Sequence, residues 1–196
     1  MDFRFSEEQR MIRDMTRKFV DDVVAPKAEE MDATGEYPYE IMAKMAELGM
    51  MGIPFPVEYG GSGGNWVGMH LCIEELSRGD AAMGALLDVT TSVVGQELFT
   101  FGTEEQKTKW LVPMAQGKTI GAFGLTEPQA GSDAAATKTT AVRDGDSWVV
   151  NGTKQFITNI GLDTASLVII TARTKAQKPE EKEQINTFIV PKGTPG

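Results

Sequence analysis

The sequence predicts an α+β protein: an all-helical N-terminal domain over residues 1–118, then an antiparallel β-barrel or β-sandwich domain over residues 119–196 that reads as incomplete. Three observations carry this. Up to about Leu111, apolar residues recur at the spacing of a helix face. Beyond Gly117 the pattern changes to short runs rich in Val, Ile and Thr, as in strands. Asp144-Gly145 and Asn151-Gly152 then supply hairpin turn signals. Helices first and strands afterwards argue against an alternating α/β fold.

In the first element, Ser6 followed three residues later by Gln9 is a capping-box signature. Met11, Ile12, Met15, Phe19 and Val23 follow at helical spacing up to Pro26. A second helix over residues 39–48 carries Ile41, Met42, Met45 and Leu48 and stops at Gly49. The Gly-rich residues 60–64 lack the Lys-Ser/Thr ending and preceding strand of a phosphate loop, and are expected as a mobile loop beside a cleft. Met69, Leu71, Cys72, Ile73 and Leu76 mark a third helix, and Arg78-Gly79-Asp80 reads as a turn between helices. Residues 81–101 predict a long apolar helix buried on most sides, ended by Gly102. Thr103 with Gln106 repeats the capping box before a short helix through Leu111. Strands are expected over 121–126, 137–143, 147–151, 153–158, 167–173 and 185–190, with the charged residues 175–184 as a solvated loop.

Composition removes several function classes. With 19 Lys and Arg against 28 Asp and Glu, the net charge of −9 disfavours nucleic acid and anionic membranes, which require basic surfaces. A single cysteine, Cys72, excludes an internal disulfide framework. With only His70 beside it, no Cys/His zinc site can form, and no metal is expected. His70 and Cys72 also lie two apart on a helix, where side chains do not face each other. No apolar run approaches a membrane span, and the polar first residues lack a signal-peptide core. The expectation is a cytoplasmic protein without membrane insertion.

The chemistry concentrates in two segments. Gly124-Leu125-Thr126-Glu127-Pro128-Gln129-Ala130-Gly131-Ser132-Asp133 leaves an apolar run and breaks into small polar residues. This is a strand end opening into a loop that offers hydroxyls and backbone N–H groups, as a phosphate-bearing cofactor requires. Just downstream, Gln155-Phe156-Ile157-Thr158-Asn159 adds an aromatic and a hydroxyl. Together the two segments point to a flavin site, while the residues by themselves equally fit a strand end and a turn capped by Ser132 or Asp133.

The run Gly124–Asp133, continued by Ala134-Ala135-Ala136, resembles the first signature of the acyl-CoA dehydrogenase family. Further resemblance lies in Phe5-Ser6-Glu7-Glu8-Gln9, Pro56-Val57-Glu58-Tyr59-Gly60-Gly61, Glu74-Glu75-Leu76-Ser77-Arg78-Gly79-Asp80 and Phe101-Gly102-Thr103-Glu104-Glu105-Gln106-Lys107. It ends with Asn151-Gly152-Thr153-Lys154-Gln155-Phe156-Ile157-Thr158-Asn159, so it spans nearly the whole chain.

The resemblance implies a helical domain, a central β domain and a C-terminal four-helix domain, with FAD between them. It implies that Phe123, Leu125 and Thr126 edge the isoalloxazine, with Thr126 bonded to its pyrimidine side. Gly131 and Ser132 then fall on the cofactor loop, Ser132 near both the flavin phosphates and the acyl-CoA. Phe156, where many relatives carry Trp, packs against the ring beside Ile157, and the Thr158 hydroxyl approaches flavin N5. Leu86, Val89, Thr90 and Val93 are the acyl-chain candidates on the long helix.

The implied reaction is α,β-dehydrogenation of an acyl-CoA thioester, with electrons passed to an electron-transferring flavoprotein and the enzyme a homotetramer. Its general base, a glutamate of the C-terminal domain, matches no residue here, so the chain alone is expected to be inactive. Glu127 holds a motif position but not that role. Alternatives left open are an acyl-CoA oxidase, a glutaryl-CoA dehydrogenase or a nitroalkane oxidase on the same scaffold, and a non-catalytic acyl-CoA or protein-binding module.

Overall fold

The structure, a computed structural model, describes residues 4–174 and 183–196. The chain divides into two compact units, Met1–Ile120 and Gly121–Gly196.

In the helical unit, α1 (Glu7–Phe19) starts at the capping box: Ser6 Oγ accepts from the Gln9 N–H at 3.2 Å, and Gln9 Oε1 accepts from the Ser6 N–H at 2.9 Å. The chain runs on through the wider π-type turns of Val20–Val24 and a tight turn at Pro26 into α2 (Ala28–Thr34). Following α3 (Tyr39–Glu47), Gly49 takes the left-handed conformation that stops the helix. Asn65 caps α4 (Trp66–Gly79) by accepting from the Gly68 N–H at 3.0 Å. The 78–80 tripeptide is a turn between helices. Gly79 closes α4, and Asp80 caps α5 (Ala81–Asp88) by accepting from the Met83 N–H at 3.0 Å.

Residues 81–101 form one continuous rod in which α5 and α6 (Gln96–Phe101) flank a π-type stretch, Val89–Gly95. That stretch holds the β-branched Val89, Thr90, Thr91, Val93 and Val94, which crowd a regular α turn. The short α7 (Glu104–Gln106) starts at the second capping box, and α8 (Val112–Ala115) ends the unit's helices.

Phe55, Met45, Met50, Met51, Met69, Leu76, Leu87 and Leu98 form the core. The unbranched methionines fill irregular gaps between helices of different inclination. α1 is fastened to α4 at the buried Glu75, which accepts from the guanidinium groups of Arg17 and Arg78, each Nε at 3.0 Å; Arg78 also reaches Asp21 at 2.6 Å. The Arg17 bond holds the Glu75 carboxyl below the usual glutamate range despite burial. Cys72, also buried on α4, has its thiol pushed up to about 11 by desolvation.

The Gly-rich residues 60–64, expected as a mobile loop, are tied to the preceding turn by backbone hydrogen bonds. The Gly63 and Gly64 N–H groups donate to Phe55 and Ile53 carbonyls, each at 2.8 Å, and Ser62 donates from its N–H to Gly52 at 3.0 Å. A side chain at Gly61 would collide with the Phe55 and Gly52 carbonyls. Glycine is used here for close backbone packing.

In the second unit, β1 (Ile120–Gly124), β2 (Thr140–Asp144), β3 (Ser147–Asn151), β4 (Ala165–Thr174) and β5 (Gln184–Pro191) form one five-stranded sheet. The hairpin from β2 to β3 is present, with Gly145 left-handed between the paired Asp144 and Ser147. β4 pairs antiparallel with β5 along its length from Leu167↔Pro191 to Thr174↔Gln184.

Two expectations need correction. The sheet is mixed rather than purely antiparallel, because β2 runs parallel to β4 at Thr140↔Arg173 and Ala141↔Thr174; among the described strands no barrel closes. Asn151-Gly152 makes no hairpin, and residues 153–158 form no strand. The chain instead leaves β3 and crosses over, which is how a parallel neighbour is reached. Of the expected charged loop, residues 175–182 lie outside the described residues.

Candidate functional site

The two motif segments meet in the second unit. At the end of β1 the chain turns out of the sheet at Leu125, Thr126 and Glu127, and the Thr126 carbonyl accepts from the Gln155 N–H at 3.0 Å. Two residues 29 apart in sequence and on separate loops are thereby held backbone to backbone.

Beneath this contact lies a charged pair that the motif reading passed over. Glu127, 3% exposed, accepts from Lys154 Nζ at 2.7 Å, from the backbone N–H groups of Lys138 at 2.7 Å and Thr139 at 3.1 Å, and from the Thr137 hydroxyl. Lys154 Nζ also donates to the Leu125 carbonyl at 3.1 Å, to Thr171 Oγ1 on β4 at 3.0 Å and to Thr137 Oγ1 at 3.1 Å. Desolvation pushes the Glu127 carboxyl upward, but Lys154, Thr137, Thr139 and the Lys138 N–H outweigh it and hold it far below the usual range. Glu127 is a fixed negative charge in the fold and a poor proton acceptor.

Two further anchors complete the frame. Arg173 Nε on β4 donates to the Thr137 carbonyl at 2.6 Å, closing the far end of the first loop. Asn159 Nδ2, buried, donates to the Gly121 carbonyl at 3.1 Å and ties the second segment to the start of β1. Sequence reasoning missed Lys154, Thr137, Thr171 and Arg173. The available signal was a Lys and a Glu set among small and apolar residues, where a burial cost demands a partner.

On this frame the sequence-predicted residues take definite places. Phe123, Leu125, Thr126 and Ile157 are half-buried, whereas Gly131, Ser132 and Thr158 are exposed. Phe156 is 86% exposed and sits at φ 59°, in the left-handed region. An exposed aromatic at positive φ is strained and unpacked at once, a combination that persists where the surroundings impose it and a ligand uses it. Gly131 has no atom within 4 Å of where a side chain would begin, and its φ is not positive. Neither local sterics nor backbone conformation within the chain therefore calls for glycine there.

In the helical unit, Leu86 and Thr90 are buried in the unit's interior, while Val89 and Val93 are half-buried one turn apart. Among the described residues no group of three or more His, Cys, Asp or Glu could hold a metal ion. No helix among them is long and apolar enough to cross a membrane.

Comparison with known proteins agrees with this arrangement. Residues 6–118 match the family description "Acyl-CoA dehydrogenase, N-terminal domain", and residues 122–196 match "Acyl-CoA dehydrogenase, middle domain". The chain is 46% identical over its whole length to a probable acyl-CoA dehydrogenase of Bacillus subtilis. It is equally identical to a short-chain-specific acyl-CoA dehydrogenase of Clostridium acetobutylicum; 51% of each protein is covered.

The butyryl-CoA dehydrogenase of Megasphaera elsdenii superposes with a TM-score of 0.90 at 38% identity, over 100% of this chain and 51% of that one. A chain in a structure described as the electron transferring flavoprotein of Acidaminococcus fermentans gives 0.89 at 42% identity, with 100% and 50% covered. An acyl-CoA dehydrogenase of Bacillus anthracis solved in complex with FAD gives 0.85 at 33% identity, covering 96% of this chain and 31% of its own. The chain belongs to the acyl-CoA dehydrogenase family. It spans about half the length of the curated relatives it matches.

Proposed function

We propose that the protein containing this chain is an FAD-dependent acyl-CoA dehydrogenase that removes hydrogens from the α and β carbons of an acyl-CoA thioester in fatty-acid oxidation. The observation that carries the reading is the locked pair of loops presenting an exposed, left-handed Phe156 beside Thr126 and Thr158. These residues fit a flavin. A flat aromatic suits a flat ring, short hydroxyls give directed bonds, and the open Gly131-Ser132 stretch suits a phosphate or pantetheine segment. FAD, when bound, supplies the two-electron acceptor. The chain's residues would hold and orient it, Phe123, Leu125 and Thr126 along one edge, Phe156 and Ile157 through apolar contact, and Thr158 and Ser132 through hydrogen bonds.

Both buried carboxylates among the described residues, Glu75 and Glu127, are ion-paired and held below the ordinary range. Neither suits abstraction of a weakly acidic α-proton, for which a base near the operating pH works best. We assign the general base to a glutamate outside this chain. The acyl chain is assigned to the helix stripe of Leu86, Val89, Thr90 and Val93.

The partners we propose are an acyl-CoA substrate, an electron-transferring flavoprotein as acceptor and further copies in a homotetramer, in the cytoplasm. For the acceptor, the helical unit offers a groove of about 860 Å³ with Met11, Ile12, Met15, Leu48 and Ile53 as its apolar lining and Ser6, Glu7, Glu8 and Ser62 among the rest. Flexible methionines suit an adaptable protein contact.

The test mixes the complete protein, loaded with FAD, with butyryl-CoA through octanoyl-CoA. Bleaching of the oxidised-flavin absorption and formation of the 2-enoyl thioester are expected. A protein that holds FAD but is reduced by none of these thioesters overturns the reading. Peroxide release or loss of carbon dioxide moves it to the oxidase or decarboxylating relatives.

A further inference from the structure

We infer that Lys154 and Glu127 are positioning residues: their buried ion pair fixes the relative register of the two loops that meet the flavin. The inference rests on the flavin-site reading above.

The geometry is that of a hub. One ammonium group touches four points of the chain: the Leu125 carbonyl, the Glu127 carboxylate, the Thr137 hydroxyl and the Thr171 hydroxyl. Leu125 and Glu127 are the immediate neighbours of Thr126, so Lys154 holds the backbone carbonyl on one side of that residue and the side-chain carboxylate on the other. Its own neighbour, Gln155, donates from the backbone to the Thr126 carbonyl at 3.0 Å, and Phe156 follows directly. Any displacement of Lys154 is passed to Thr126 and to Phe156 together.

The carboxylate does the complementary work. Glu127 Oε1 and Oε2 collect N–H groups from Lys138 and Thr139 and the hydroxyl of Thr137, drawing the return limb of the first loop inward. Gln129 Nε2 adds a bond from within the loop at 2.6 Å. β4, through Thr171, is the rigid element against which both loops are referenced.

Packing alone would not need this. A buried ion pair contributes little net stability compared with apolar residues of similar volume, but it specifies one geometry. Here the geometry it specifies is that of Phe156, which has little packing of its own to hold its strained backbone. The pair takes no part in proton transfer, because its carboxylate is saturated with donors.

The experiment uses the complete, FAD-loaded protein. A double variant, Glu127→Leu with Lys154→Met, removes both charges at once but takes partners from the Lys138 and Thr139 N–H groups and the Leu125 carbonyl, so it is expected to remain folded with a lowered melting temperature. FAD affinity should nonetheless fall by at least about tenfold, with a changed flavin absorption envelope. The single variant Lys154→Arg, which retains the charge and several donors, should recover part of the lost affinity. If the double variant folds and binds FAD with parent affinity and spectrum, the pair does not position the site.

Should the double variant fail to fold, Thr171→Val provides the decision. It removes one acceptor from Lys154 and is expected to weaken FAD binding about two- to fivefold at nearly unchanged stability. No weakening overturns the proposal. Phe156→Ala separates this proposal from the flavin-site reading, since it leaves the pair intact. If Phe156→Ala changes the flavin spectrum and the pair variants do not, only the positioning role falls. If Phe156→Ala also changes nothing, the flavin-site reading itself falls.

Discussion

Asn159, left-handed at φ 71°, donates from its amide to the carbonyl of Gly121 at 3.1 Å. Strand alternation over 153–158 would have turned its side chain away from the site as a neutral comparison position. It is instead the buried pin between the second motif segment and the first strand. Asn tolerates positive φ better than other residues with a side chain, and its amide supplies the bond in the same place. Asn159→Ala is expected to destabilise the chain by about 2–4 kcal/mol, combining the left-handed strain with an unsatisfied buried carbonyl. Urea unfolding of parent and variant measures this; a loss under about 0.5 kcal/mol, the range of unremarkable surface changes, contradicts it.

Phe156 should behave in the opposite sense. Phe156→Gly relieves about 1–2 kcal/mol of left-handed strain and adds about 0.5–1 kcal/mol of chain flexibility. Stability should therefore hold or rise slightly, while FAD binding by the complete protein weakens. A variant that is less stable yet binds FAD normally would place the residue in the fold rather than at the ligand.

Thr158→Val retains volume and removes an exposed hydroxyl. Its stability should stay within about 0.5 kcal/mol of the parent, as for other surface substitutions. Flavin reduction by acyl-CoA should slow in rapid-mixing experiments on the complete protein. Parent-rate reduction with unchanged FAD affinity removes Thr158 from the site.

Acid should release the Glu127 anchor. Its folded carboxyl lies below the ordinary value of 4.5, so the unfolded chain takes up the proton first as pH falls. The stabilisation is fully present above that value and disappears as pH drops through the folded range. Glu127→Gln should thus be destabilised at pH 7, and the gap from the parent should narrow by about pH 3. Denaturant melts across this range test it; a gap independent of pH would falsify the assignment.

Two glycines in one turn should respond differently. At Gly61 a methyl group meets the Phe55 and Gly52 carbonyls, backbone atoms that cannot rotate away. Gly63 has open space around it and only a positive φ, 72°, to satisfy. Gly61→Ala should cost more than about 3 kcal/mol, and Gly63→Ala about 1–2 kcal/mol. Thermal melts of the two variants rank them directly.

The helical unit was legible because its signals are local. Capping boxes at Ser6 and Thr103, stop glycines and the spacing of Ile41, Met42 and Met45 each act within a turn or two, although Leu48, read with them, is exposed at the helix end. The Gly145 turn was legible for the same reason. The run Thr153-Lys154-Gln155-Phe156-Ile157-Thr158 alternates like a strand, yet it is bent by partners far away in sequence: Glu127, Thr171 and Thr126. Composition is silent about which Lys finds which Glu. The parallel contact of β2 with β4 is non-local in the same way. At the site, the motif residues were visible as a set, while the charges beneath them emerge only when burial shows which ones need partners.

Cys72 makes the helical unit self-reporting. It is the chain's one sulfhydryl, buried on α4 and protonated at neutral pH, so a thiol reagent reaches and reacts with it only when that helix opens. Labelling rates then count opening events of the unit without an introduced probe. Because the second unit has no cysteine, the same chain reads out one half while remaining blind to the other.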